Sequence, residues 1–279
     1  MIIILSLAAS AILGIFGTVL DLVFFDGEIW LYKHGSETVR MTFYIMLGTA
    51  CLGIAIVCIL LRKKGIGEGV SAKLSGEPTV ARVLRLCGGV AFAIGIVIRL
   101  IAFLFGRSSF GLPDFAVCIM LFLGLAAGAF FFPELEPRFG IGGATTVCGM
   151  LGVAHFVIDL FAGYADMVKP IAADYRILTA LCLVSFLLLL TSELRMRVHE
   201  PHPVTYIALA CIACVVCAST YFGRLVLCIT GVIGFGDDLG AIVCGVGCAL
   251  YAVSVAIRLS LTSSAPEGAE TEAESADAE

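Results

Sequence analysis

The chain has 279 residues, 60% of them hydrophobic and only 14% charged, with a mean hydropathy of +1.08. A water-soluble globule of this length cannot enclose so much apolar surface, so the composition excludes a soluble domain and points to a bilayer, with no nucleic-acid partner expected. The formal net charge of -5 is misleading, because the closing stretch SSAPEGAETEAESADAE holds six acids and no base, and the rest of the chain carries about +1.

A hydrocarbon core needs about 20 apolar helical residues to cross it. Eight runs meet this, at about residues 2–25, 41–61, 81–105, 114–133, 141–163, 176–193, 203–231 and 238–259. The first lacks a basic leader and its apolar stretch exceeds that of a signal peptide, so it is expected to stay as a membrane helix. The loops on one side hold ten bases, Arg62, Lys63, Lys64, Lys73, Arg82, Arg85, Arg138, Arg195, Arg197 and Arg258. The other side holds Lys33, Arg40, Arg107, Lys169 and Arg176. That bias places both termini in the cytoplasm of a multi-pass cell-membrane protein. Residues 262–279, rich in Ala, Ser and Glu, read as a disordered acidic cytoplasmic tail able to contact a protein partner.

The chain reads as two repeats of four helices, 1–133 and 134–261. LGIFGTVLDL at 13–22 matches LGVAHFVIDL at 151–160 in Leu, Gly, Val, Asp and Leu. GEP at 76–78 answers HEP at 199–201, and the Arg-Leu pair at 99–100 answers that at 224–225. The Phe-Gly pair at 110–111 answers that at 235–236, and Asp114 answers Asp238. An even number of helices per repeat gives parallel halves, an arrangement that places a site between them.

His155 and Asp159 are four residues apart and share a helix face. Asp21 stands at the matching place in the first helix, where Gly17 replaces the histidine. Ionisable residues inside a membrane segment mark function or a structural pair. The repeat predicts Asp21 with Arg99 and Asp159 with Arg224, as a clamp between helices or as a polar pocket for a small ion or charged solute. His155 is then the group able to titrate near neutral pH.

The twelve cysteines lie in or beside apolar runs and behave as small hydrophobes. CIACVVC (Cys211, Cys214, Cys217) lacks the fourth ligand that a metal site needs, and neither metal nor cofactor is expected. GFGD at 234–237 resembles the GxGD of intramembrane aspartyl proteases over four residues, without the PAL and YD that accompany it. Asp237 or Asp238 is better placed as an N-cap. The glycines of KGIGEG (64–69) follow no strand and precede no GK[ST], and HEPHP (199–203) reads as a turn.

These observations predict an all-α polytopic bundle with no catalytic residues. Its substrate- or ion-binding candidates are Asp21, Arg99, His155, Asp159 and Arg224, with Asp114, Asp237 and Asp238 secondary. The expected function is a transporter or solute-binding permease. The alternatives are a non-catalytic membrane subunit acting through partners and, behind it, an intramembrane aspartyl protease.

Overall fold

The computed structural model describes residues 2–26, 31–62, 78–106, 112–132, 143–165, 174–197, 202–231 and 238–261. Within them lie eight helices: α1 (Ile2–Phe24), α2 (Glu37–Arg62), α3 (Thr79–Leu104), α4 (Asp114–Phe130), α5 (Gly143–Ala165), α6 (Asp174–Arg197), α7 (Pro203–Ile229) and α8 (Asp238–Leu261). A minimal hairpin, β1 (Phe25–Asp26) with β2 (Leu31–Tyr32), links α1 to α2. Seven helices are long and apolar enough to cross a membrane, so the chain is a multi-pass integral membrane protein. The expected tail, Asp237 and the GFGD, KGIGEG and HEP segments lie outside the described residues.

Local chemistry sets the helix ends. Pro78 and Pro113 immediately precede α3 and α4, and Pro203 opens α7, where a missing N–H and a fixed φ cost nothing. Beyond α3 and α7 the chain turns on Gly106 (φ 64°) and Gly231 (φ 76°), a left-handed geometry that a Cβ would penalise. α4 is the exception to full length, with 17 residues spanning about 25 Å. Its last carbonyls therefore end among apolar side chains, and the Arg85 guanidinium of α3 satisfies two of them. Nε donates to the Phe131 carbonyl and Nη2 to that of Phe130, each at 3.1 Å. Arg85, expected in a loop, is thus a buried cap.

In lipid the hydrophobic effect does not pull helices together, so close packing of small residues does. α7 and α8 are the most enclosed helices, and each packs most extensively on one helix from the first half of the chain. α1 runs parallel to α7, with Ser10 beside Cys214, Gly17 beside Ser219 and Thr18 beside Gly223. α3 runs antiparallel to α8, with Gly88 against Gly247 and Gly95 against Gly240 and Cys244. The backbones touch there, since a Cβ on Gly95 would sit 2.5 Å from the Cys244 nitrogen and 2.7 Å from the Gly240 carbonyl oxygen. Between α5 and α8 an aromatic core forms from Phe92, Phe131, Phe156, Phe186 and Tyr251. The outward faces of α1, α2 and α3 carry apolar side chains such as Ile12, Ile15, Leu52, Ile59 and Val90, a surface suited to acyl chains.

The seam predicts a contrast between glycines. Gly95→Ala is expected to lower stability in detergent by about 1–3 kcal/mol through overpacking. Gly48→Ala, where nothing lies within 4 Å of the added carbon, is expected to leave stability unchanged or raise it by up to about 1 kcal/mol. Thermal unfolding of the two variants beside the parent measures both.

Candidate functional site

Arg99 lies five residues before the end of α3, roughly 8 Å along the axis from its last residue. Its stem passes over Gly240 of α8, where a Cβ would come 2.5 Å from Arg99 Cγ, so only glycine leaves the passage open. The guanidinium then reaches α5, and Nη2 donates to Asp159 Oδ1 at 2.5 Å. The side chains are 5% and 16% exposed, so the cation is the more deeply enclosed partner. Asp159 therefore pairs with Arg99 of the first half. The expected partner, Arg224 of its own half, lies elsewhere.

One turn earlier on α5, His155 is only 1% exposed. Its Nδ1 is 2.8 Å from the Met120 carbonyl of α4, and because a carbonyl only accepts, Nδ1 carries the hydrogen. The rings of Phe92 and Phe156 stand edge-on to it, and Gly124 gives it room, since a Cβ there would lie 2.9 Å from Cε1. His155 is within electrostatic reach of both Asp159 and Arg99.

The second pair of candidates meets at the same end of the bundle. Arg224 of α7 donates from Nη1 to Thr179 Oγ1 of α6 at 2.6 Å and lies 5.6 Å from the centre of the Tyr221 ring. Its charge also acts on Asp21 of α1, whose Oδ2 borders Gly223. The Tyr32 hydroxyl of β2 donates to Asp21 Oδ1. Burial and the Asp21 carboxylate both push the Tyr32 phenol above its ordinary pKa, so it stays a donor. Tyr221, seated on Gly245, lies within electrostatic range of Arg99 as well as beside Arg224. All five primary candidates thus belong to one polar layer that runs from α5 through α3 and α7 to α1 and the hairpin. Asp114 is exposed in the first turn of α4, where a carboxylate complements the helix N-terminus, and Asp238 opens α8.

A second buried polar group, absent from the sequence expectations, lies toward the other ends of α3, α6 and α8. Glu193 accepts from Arg197 Nη2 at 3.0 Å and from the Tyr251 hydroxyl at 2.6 Å. Arg197 also sits 4.9 Å from the centre of the Phe130 ring, and Arg85 sits 5.5 Å from that of Tyr251. The spacing of Glu193 and Arg197, one turn apart, was the available signal. Arg197 is buried, where a loop position was expected.

Chemically, the layer pairs the Asp159 carboxylate with the Arg99 guanidinium and holds an imidazole that donates from Nδ1. Among the described residues no group of three or more His, Cys, Asp and Glu side chains is arranged to hold a metal ion.

The Arg99 contact predicts a specific coupling. Asp159→Asn alone is expected to destabilise the protein by about 3 kcal/mol, because the enclosed guanidinium loses its counter-charge. Combined with Arg99→Gln, the loss should fall short of the sum by about 1–3 kcal/mol, whereas Asp159→Asn with Arg224→Gln should be nearly additive. Equilibrium unfolding in mixed micelles gives both cycles, and coupling confined to the Arg224 cycle would contradict the assigned pair.

Compared with known proteins, the chain matches no protein family, no curated protein and no solved structure.

Proposed function

We propose that this integral membrane protein is a non-catalytic subunit, a rigid bundle that acts through partners bound at its faces. The observation that carries the reading is how the two halves of the chain are tied. The closest seams, α1 on α7 and α3 on α8, each join a helix of the first half to one of the second. The Arg99–Asp159 ion pair does the same, and so does the reach of Arg224 to Asp21. A carrier that rocks one half against the other must separate two backbone-to-backbone seams and both charge contacts in every cycle. Close-packed interfaces resist such continuous deformation. The six acids after α8 give such a subunit a charged segment for a partner.

Solute binding in a permease is the second reading. It is favoured by one feature: Asp159 is the less enclosed partner of its pair, and Asp21 is partly exposed at the same end. The two carboxylates are then the groups that a charged solute meets first.

A distance measurement separates the two. Genetically encoded spin labels at exposed Leu104 (α3) and Ile229 (α7) leave the native cysteines in place. In nanodiscs a rigid subunit is expected to show one narrow distance, with its mean unchanged when Asp21→Asn and Asp159→Asn are combined, because the glycine seams remain. A permease gated by these pairs is expected to shift to a second, resolved distance in that variant, and this shift would overturn the subunit reading.

A further inference from the structure

The thiols of CIACVVC take no part in the polar layer, yet one of them is not packed as a simple hydrophobe. Cys217 of α7 and Cys182 of α6 face each other across the α6–α7 contact. Each also reaches into the opposite helix. Cys182 Sγ donates to the Val216 carbonyl at 3.6 Å, and Cys217 Sγ donates to the Cys182 carbonyl at 3.7 Å. This reciprocity requires the two backbones to approach closely at this level, as a disulfide also requires. Ser185 Oγ lies 3.8 Å from Cys217 Sγ. Arg224, held on Thr179 one turn from Cys182, brings positive charge within range of the Cys182 sulfur.

We propose that Cys182 and Cys217 form an oxidisable dithiol that closes to a disulfide between α6 and α7 when a small hydroperoxide reaches it. Both thiols are buried, which shuts out a protein oxidase and leaves a small neutral oxidant such as hydrogen peroxide. Cys182 gives up its thiol proton as its sulfur attacks a peroxide oxygen, the O–O bond breaks, and the departing hydroxide takes that proton to become water, leaving Cys182 as the sulfenic acid. The Cys217 sulfur then attacks the Cys182 sulfur. The S–O bond breaks, and a second water leaves with the Cys217 proton. Two thiols and one hydrogen peroxide become one disulfide and two waters. The product staples α6 to α7 beneath the Thr179–Arg224 contact, so oxidation fixes the part of the layer that these helices share. This holds under either reading of the function.

The test uses the full chain in nanodiscs, treated with hydrogen peroxide, alkylated under denaturing conditions and digested with a protease that cuts at aromatic residues. The expected product is a peptide containing Cys182 joined to one containing Cys217, reversed by dithiothreitol. It should be absent in Cys217→Ser and intact in Cys51→Ser. Cys87, which is exposed, reports that the oxidant has acted. Recovery of Cys182 and Cys217 as separately alkylated thiols after Cys87 has been oxidised would overturn the proposal. So would a disulfide joining Cys217 to Cys248 in place of Cys182.

Discussion

A guanidinium surrounded by hydrocarbon and protein needs a partner that it cannot find in its own helix turn, and this need organises the bundle. On the lenient insertion scales an arginine at mid-membrane costs about 2.5–3.5 kcal/mol. The chain meets the need in three ways. Arg99 takes a carboxylate from α5, and Arg85 takes two backbone carbonyls at the end of α4. Arg224 takes a hydroxyl from α6 and works at longer range on Asp21 of α1. In each case the partner belongs to another helix, so the charges are satisfied only when the tertiary structure is in place. Arg197, by contrast, finds Glu193 one turn back on α6, and Tyr251 of α8 completes that group.

The glycines and the charges are one device. Gly240 lies where the Arg99 stem crosses α8, and Gly124 lies where the His155 ring meets α4. Gly245 lies under the Tyr221 ring, between the two arginines. A side chain at any of these positions would push a polar group off its partner, so packing and electrostatics fail together.

Hydrophobic run length made the helices legible, because a span must be apolar over about 20 residues whatever its neighbours are. Asp21, Arg99, His155, Asp159 and Arg224 stood out for the same reason, as rare ionisable residues within apolar runs. Their partners were not legible. Matching positions in the two halves suggested Asp159 with Arg224, but pairing follows which helices are adjacent, and α5 brings Asp159 to α3. Arg85 and Arg197 read as loop residues because a base near the end of an apolar run looks the same in sequence whether it faces water or turns inward. The early end of α4 decides the matter for Arg85, and the Glu193 carboxylate decides it for Arg197.

The α1–α7 and α3–α8 seams also set a timetable. Ser10 and Cys214 are 204 residues apart in the chain, and Phe92 and Cys244 are 152 apart. At ordinary synthesis rates α1 waits roughly 10–40 s, and α3 roughly 8–30 s, for the helix that completes it. During that interval the serines of α1 and the Arg99 side chain of α3 are already within the bilayer while their seams are still unmade. The half-made protein is thus a species with its own lifetime, in need of shelter from lipid and from proteases. Damage to α7 or α8 is felt first as the loss of helices made long before them.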